Sequence, residues 1–359
     1  MTRYLIIIFT FMFIASACSQ DEERQQQSDE AIVDIPNTEG DLQVIAKNLQ
    51  EPWEIAKLND AFYVSERIGS IVTIKRGEQT RKQVQFSKDL SNQAEAGLLG
   101  IAVPGNFSET NKAFAYYSYQ EDNQYYQRVV TIKESDEQWE ETSVLIDRIP
   151  GGQFHQGGRI EIGPDNKLYI TTGDATQPEL AQDLDSLAGK ILRMNLDGSI
   201  PADNPFEDSY VFTFGHRNPQ GMAWNEADEM FATEHGSSAH DEINRIIKGS
   251  NYGWPEIQGD ETAANMESPI IHSGENTWAP SGMTYHNGFF YFASLRGEGL
   301  RRFDPANKTQ KLIVSNVGRV RDALATNEGI YFLTNNTDGR GDPAANDDRL
   351  LFLPYNDLD

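Results

Sequence analysis

The residues able to do chemistry in this chain fall into two histidine-bearing segments and a scatter of arginines. In the first segment, Phe154-His155-Gln-Gly-Gly-Arg159 runs into Ile160-Glu-Ile-Gly163, then Pro164-Asp-Asn-Lys-Leu-Tyr-Ile-Thr-Thr-Gly173-Asp174. A histidine just before one strand and an aspartate just after its neighbour lie at the same end of a hairpin. An aspartate that accepts the imidazole N–H fixes the tautomer and makes the other ring nitrogen more basic. His155 and Asp174 are therefore a candidate general base and its orienter, although a histidine among glycines also serves purely structural ends.

The second segment holds Phe214-Gly-His-Arg217-Asn218-Pro-Gln-Gly221, Glu234-His235-Gly236-Ser237, Asp241-Glu242-Ile-Asn244 and Asn251-Tyr252-Gly-Trp-Pro255. Arg217 is either an anion-binding group or half of an internal salt bridge. Asp241 and Glu242, with glycine carbonyls nearby, suit a hard cation such as calcium. His235, His240 and Asp241 could suggest zinc, but their spacing matches no helical zinc motif. Further on stand Arg296 and the pair Arg319 and Arg321, whose alternate positions on a strand start point the same way. Convergence of Arg217, Arg296, Arg319 and Arg321 in an acidic protein implies a polyanionic ligand. Arg340-Gly-Asp342, an adhesion-like tripeptide in an Asn-, Asp- and Gly-rich loop, reads as chance. There is no G-x-G-x-x-G between strand and helix, no G-x-S-x-G elbow and no Walker loop.

Elements that could bring such distant residues together must be short and repeated. Beyond residue 40 no long helical periodicity is present. Six apolar runs recur instead: Phe62–Ser65, Ala113–Tyr117, Leu168–Thr171, Met230–Thr233, Phe289–Phe292 and Ile330–Leu333. They start roughly 40 to 60 residues apart, a period that points to repeated sheets. Each is bracketed by Gly, Asn or Asp turns and neighbouring strands, so each unit has three or four antiparallel strands. Such a unit cannot bury both faces alone; packing six radially solves that and leaves only short edges. The expected fold is all-β, a six-bladed β-propeller of four-stranded antiparallel sheets over residues 41–359, with a pair of β-sandwiches as the competing architecture. In a propeller, loops at one end converge on a central channel, where residues far apart in sequence can meet.

Composition narrows the chemistry. With 30 Lys plus Arg against 55 Asp plus Glu, the 359-residue chain carries a net charge of -25, which repels nucleic-acid backbones. One cysteine excludes a disulfide framework, a Cys-rich zinc site and an iron–sulfur cluster. Catalysis must then come from oxygen and nitrogen groups or from a cofactor.

The start of the chain has its own meaning. Arg3 precedes an apolar run from Tyr4 to Ala17, too short for a comfortable membrane span. It closes on Ala15-Ser16-Ala17-Cys18, which resembles a bacterial lipoprotein cleavage box with Ala15 in place of the usual Leu. Residues 1–17 are expected to be a signal peptide, Cys18 the lipid carrier, and 18–40 a polar tether. Ser19 after the cysteine favours the outer membrane, and so a periplasmic protein whose one membrane contact is that lipid.

Together the motifs resemble those of the soluble pyrroloquinoline quinone (PQQ)-dependent glucose and aldose sugar dehydrogenases. The likeness is carried by His155-Gln-Gly-Gly-Arg159, Gly163-Pro-Asp165, Gly173-Asp174, Gly215-His-Arg-Asn-Pro-Gln-Gly221, Asp241-Glu-Ile-Asn244, Asn251-Tyr-Gly-Trp-Pro255 and Arg319-x-Arg-Asp322. Glu51-Pro-Trp53, Ser65-Glu-Arg67 and Gly97-Leu-Leu-Gly100 extend it toward the N-terminus. The family fold is a six-bladed propeller.

The resemblance implies a role for each matched position. His155, oriented by Asp174, would take the proton of the anomeric hydroxyl while a hydride passes from C1 to PQQ, giving the lactone. Calcium would polarise the quinone carbonyl, held by backbone oxygens of Gly236 and Ser237, and a second calcium would sit on Glu242 and the Tyr252 carbonyl. Arg217, Asn218, Arg319 and Arg321 would hold PQQ, with Arg217 also stabilising developing negative charge. Glu95, His235 and Arg296 complete the expected cofactor wall, and each departs from the family: Glu95 where Gln is common, His235 for Gln and Arg296 for Lys in the glucose enzyme. Ser237 likewise replaces Pro. Glu95 would either repel a cofactor carboxylate or shape the choice of sugar. The implied partners are an aldose and an electron acceptor, whether quinone, dye or cytochrome. The competing functions are a calcium-dependent lactonase and a non-catalytic propeller binding module.

Overall fold

The six apolar runs each become the second strand of a four-strand antiparallel meander, and their sequence explains why. A strand covered on both faces needs apolar residues throughout, whereas an outer strand alternates or turns polar. Residues Ala61–Glu66 are buried at every position, while Glu78–Gln85, two strands further out, expose nearly all of theirs. A computed structural model describes residues 42–357. The expected signal peptide (1–17), Cys18 and the tether (18–40) lie outside the described residues.

In chain order the strands are β1 (Gln43–Ala46), β2 (Pro52–Leu58), β3 (Ala61–Glu66), β4 (Ser70–Lys75), β5 (Glu78–Gln85), β6 (Leu98–Ala102), β7 (Lys112–Glu121), β8 (Gln124–Glu134) and β9 (Trp139–Pro150). The series continues with β10 (Ile160–Ile162), β11 (Lys167–Thr172), β12 (Lys190–Asn195), β13 (Val211–Phe214), β14 (Pro219–Trp224), β15 (Met230–Glu234), β16 (Glu242–Ile246) and β17 (Ile271–His272). It ends with β18 (Pro280–His286), β19 (Phe289–Ser294), β20 (Gly299–Asp304), β21 (Thr309–Val314), β22 (Val320–Ala325), β23 (Gly329–Thr334) and β24 (Leu350–Pro354). Among the described residues the one α-helical turn, Phe107–Thr110, is four residues long.

Strands β10 to β13, β14 to β17 and β18 to β21 form three four-stranded sheets in sequence order. A fourth has the order β1-β24-β23-β22, so the first described strand completes the sheet made by the last three. The remaining strands form one eight-stranded sheet, β2-β3-β4-β5-β9-β8-β7-β6. This differs from the expectation of separate sheets: two meanders are joined where Val84 and Gln85 pair in parallel with Trp139 and Glu140. Each outer strand thereby covers an edge that would otherwise be open to another chain.

Strand β2 touches β6 and β22, β6 touches β10, β14 touches β11 and β18, and β18 touches β22, which closes a propeller-like ring. Core clusters straddle these contacts; Trp53, Leu99, Tyr116, Ile160 and Leu168 pack together from three meanders. Tight hairpins fix register: Asn287-Gly288, with φ of +47° and +87°, makes the primed turn that matches strand twist between β18 and β19. The consequence for function is positional. The starts of β6, β10, β14 and β22 and the ends of β11, β15, β19 and β23 all lie at one end of their sheets.

Candidate active site

At that end the loop between β9 and β10 carries His155, and the turn after β11 carries Asp174. His155 Nδ1 lies 2.6 Å from Asp174 Oδ1. Gly173 permits the approach, since a Cβ there would fall 1.9 Å from the His155 carbonyl oxygen. Asp174 is buried and also accepts from the Trp254 indole N–H at 2.9 Å and the Thr176 amide at 2.8 Å. Three donors converge on this one carboxylate. His155 thus donates Nδ1–H to Asp174 and leaves Nε2 with a free lone pair, the state a general base needs.

His155 borders a cavity of about 390 Å³ lined also by Glu95, Phe154, Arg217, Asn218, His235, Gly236, Ser237, Arg296 and Arg340. That volume lies in the range of small-molecule sites, roughly 300–1,000 Å³. A deeper cavity adjoins it, sharing Glu95, His235 and Arg340 and adding Trp53, Arg67, Arg321 and Asp338. Arg217 sits 5.4 Å over the Trp254 ring, donates to the His235 carbonyl at 3.2 Å, and keeps its Nε buried without a partner. Burial pulls its pKa below the ordinary arginine value, with Asp174 and Glu234 opposing. Asn218 is buried and accepts from the Gly157 amide at 3.0 Å.

Arg321 donates to Asn335 Oδ1 at 2.9 and 3.1 Å and to Gln220 Oε1 at 3.1 Å. Burial, aided by Arg319 and Arg67 and opposed by Asp338, pushes it down to about 9. Arg319 stands behind it, on Asp338 at 2.8 Å and the Leu295 carbonyl at 3.3 Å, its Nε buried and unpartnered. Arg296 is exposed at the rim. Of the four expected arginines, Arg217 and Arg296 therefore line one cavity and Arg321 the adjoining one, while Arg319 lines neither.

His235 is half-buried, and its desolvation, reinforced by Arg217 and Arg321 against Asp241 and Glu95, lowers it to about 4. It is neutral at physiological pH, with Nε2 unpartnered. Gly236 and Ser237 line the cavity, and the Ser237 carbonyl accepts from Arg217 Nη2 at 3.5 Å. Asp241 departs from expectation. One oxygen accepts the Gly236 amide at 2.9 Å, and the other accepts Thr277 Oγ1, Trp278 N–H and Ala279 N–H at 2.6 to 2.8 Å. It organises the loop rather than offering itself to an ion.

Glu242 and Tyr252 stand outside the residues lining either cavity. Glu242 accepts from Gly259 N–H and Asn244 Nδ2, and burial with the neighbouring Glu234 raises it to about 7. Tyr252 stacks on His216 with ring centres 4.6 Å apart. Among the described residues no group of three or more His, Cys, Asp or Glu could hold a metal, which removes the zinc alternative.

Glu95 is not a free charge facing the cavity. Arg340 Nη1 donates to Glu95 Oε1 at 2.9 Å, and the His155 amide donates to Oε2 at 3.0 Å. Burial alone would raise the carboxyl, but Arg340 and that amide more than offset it and hold it low. Arg340, taken from the sequence as part of a chance tripeptide, is thus a site residue. The signal was available: β23 runs back toward the end where β22 begins with Arg319 and Arg321, so the loop after it must emerge beside them. Arg67, Trp254 and Asp338 were also missed as site residues, because their partners are distant in sequence.

The profile of the family described as glucose/sorbosone dehydrogenase matches residues 49–345. The chain is 33% identical over 255 residues to quinoprotein glucose dehydrogenase B of Acinetobacter calcoaceticus, covering 61% of this chain and 53% of that protein. It therefore spans about half the length of that relative. It is 27% identical over 339 residues to an aldose sugar dehydrogenase of Escherichia coli, covering 83% of this chain and 91% of that one. A solved structure of the PQQ-bound form of aldose sugar dehydrogenase from Streptomyces coelicolor superposes with a TM-score of 0.81 at 35% identity, covering 87% of this chain and 97% of that one.

Proposed function

The chain belongs to the glucose/sorbosone dehydrogenase family, and from that premise we propose that it oxidises an aldose at C1 to the lactone, with PQQ as oxidant and calcium beside it. The observation that carries this reading is the His155–Asp174 pair beside a cavity lined by Arg217, whose Nε–H is buried without a partner, with Arg321 on the adjoining cavity. Those donors fit a flat tricarboxylate. PQQ, when bound, supplies the two-electron acceptor for the C1 hydride, and calcium the Lewis acid that makes it a stronger one.

The chain's own residues do the rest. His155 Nε2 takes the proton of the C1 hydroxyl, and Asp174 stabilises the imidazolium that results. Arg217, Asn218, Arg296, Arg319 and Arg321 would hold the cofactor's carboxylates and carbonyls, with Arg217 placed to offset negative charge. Neutral His235 adds a hydrogen-bonding edge without charge. Gly236 and Ser237 offer carbonyl oxygens to calcium, and Glu242 with the Tyr252 carbonyl a second site. We further read the eight-stranded sheet as two blades fused at their outer edges, which makes six blades with the four other sheets. Protein given calcium and PQQ should reduce a redox dye when an aldose is added; no reduction across a panel of aldoses would overturn the assignment.

Placement in the cell rests on residues outside those described. We propose cleavage before Cys18, lipid on its thiol and an outer-membrane, periplasmic location. Cys18→Ala should move the protein from the membrane to the soluble fraction; an unchanged distribution would end that proposal.

A further inference from the structure

We propose that Glu95 and Arg340 form a clamp that positions His155 through its main chain. Residues 151–159, between β9 and β10, lie outside any strand and pair with strands only at their ends, Gly151 with Tyr125 and Gly158 and Arg159 with Thr171. Within them His155 has φ of +61°, in the left-handed region that a residue with a Cβ enters only at a cost. Such a conformation persists where its surroundings over-determine it. The ring end is held by Asp174, and the main-chain end by the bond from the His155 amide to Glu95 Oε2.

Glu95 is itself held. Its second oxygen accepts from Arg340 at 2.9 Å, the Arg340 amide donates to Asp338 Oδ1 at 3.0 Å, and Asp338 Oδ2 accepts from Arg319 at 2.8 Å. The Arg340 guanidinium also lies 5.9 Å over the ring of Phe154, the residue before the base. A chain of polar contacts thus runs from the arginine floor to the base and on, through Asp174, to Trp254. Only a carboxylate meets both demands at position 95. An amide offers one acceptor oxygen and turns an NH₂ toward either the guanidinium or the His155 amide, donor against donor. Glu95 is then a positioning residue acting through His155, and Arg340 positions Glu95. The proposal rests on the dehydrogenase reading for its kinetic test and not for its spectroscopic one.

With calcium and PQQ supplied, Glu95→Leu should lower kcat about 10- to 100-fold, the cost of displacing a reacting group by about an ångström. The KM for the aldose should change by less than about threefold, because the loss falls on the transition state. Glu95→Gln should recover part of the rate, and Arg340→Met should fall between the Leu variant and the parent. In cofactor-free protein the His155 amide proton resonance should move upfield and exchange faster in Glu95→Leu, and move less in Glu95→Gln. An unmoved amide signal in Glu95→Leu, or Leu and Gln variants equally slow with the same amide shift, would overturn the clamp. A parent without sugar oxidation would overturn the dehydrogenase reading, while the amide signal still decides the clamp.

Discussion

Two buried ionic clusters share the inner strands, and they are charged in opposite ways. In one, Arg159 lies 2.9 Å from Asp322 and 3.2 Å from Glu54, with Glu161 also within its field. Three carboxylates face one guanidinium, and burial raises all three: Glu161 to about 8, Glu54 well above its usual value and Asp322 upward. In the other, Arg319 and Arg321 share the single carboxylate of Asp338, with Arg67 and Glu95 also within the field of Arg321, and burial presses Arg321 down to about 9. Arg159 and Arg321 even share a ring, at 4.4 and 5.8 Å from the centre of Trp53. The acidic cluster relieves its surplus by holding protons, a remedy open to carboxylates. Arginine has no such remedy near neutral pH, so we propose that an anion from outside completes the basic cluster. A surplus that protons can cancel is structural, whereas one that they cannot is a binding site.

The largest expected effect falls where the two halves of the site meet. His155→Ala should cut turnover about 100- to 10,000-fold, as loss of a general base does, while PQQ still binds; unchanged turnover would remove His155 from that role. The clusters themselves should then separate cleanly. Arg159→Met leaves three buried carboxylates without a countercharge and should cost about 3–5 kcal/mol in denaturant unfolding. Arg321→Met should cost the cofactor-free protein no more than about 1 kcal/mol, since a buried surplus cation adds little stability. Its PQQ affinity should drop by about 10- to 100-fold, the worth of a charge-assisted hydrogen bond. Equal destabilisation by the two would collapse the distinction.

A pH series sharpens the acidic side. Glu161 in the folded protein keeps its proton up to about 8, against an ordinary value of 4.5, so between those limits the folded state binds the extra proton and loses stability as pH rises. The stability of Glu161→Gln relative to the parent should accordingly climb from pH 4.5 to 8 and level off beyond; a flat difference would mean that Glu161 is ionised throughout. The smallest effect belongs to Arg296, exposed at the rim. Arg296→Ala should weaken PQQ by about two- to fivefold, in keeping with solvent-screened pairs, and titration would show it.

Much of this was legible beforehand, for reasons that can be stated. The strands covered on both faces are continuous apolar runs, so the repeat stood out, and antiparallel turns placed His155 beside Asp174 at one sheet end. The parallel seam between β5 and β9 was not legible, because Val84 and Trp139, 55 positions apart in separate meanders, carry no mark of pairing. Asp241 misled because a carboxylate beside glycines looks alike whether it awaits a cation or accepts four backbone and hydroxyl protons. In the sequence Glu95 and Arg340 read separately, one as part of the cofactor wall and the other as chance, since their joint meaning lies in a contact between residues 245 positions apart.

The central claim, that a surplus of buried guanidinium groups beside His155 exists to receive an anionic quinone, is tested most directly by calorimetric titration of PQQ into the calcium-loaded protein. One equivalent should bind saturably in the parent, and Arg217→Met with Arg321→Met together should abolish saturation while the protein stays folded. Equally tight binding by that double variant, or no saturable binding by the parent, would contradict it.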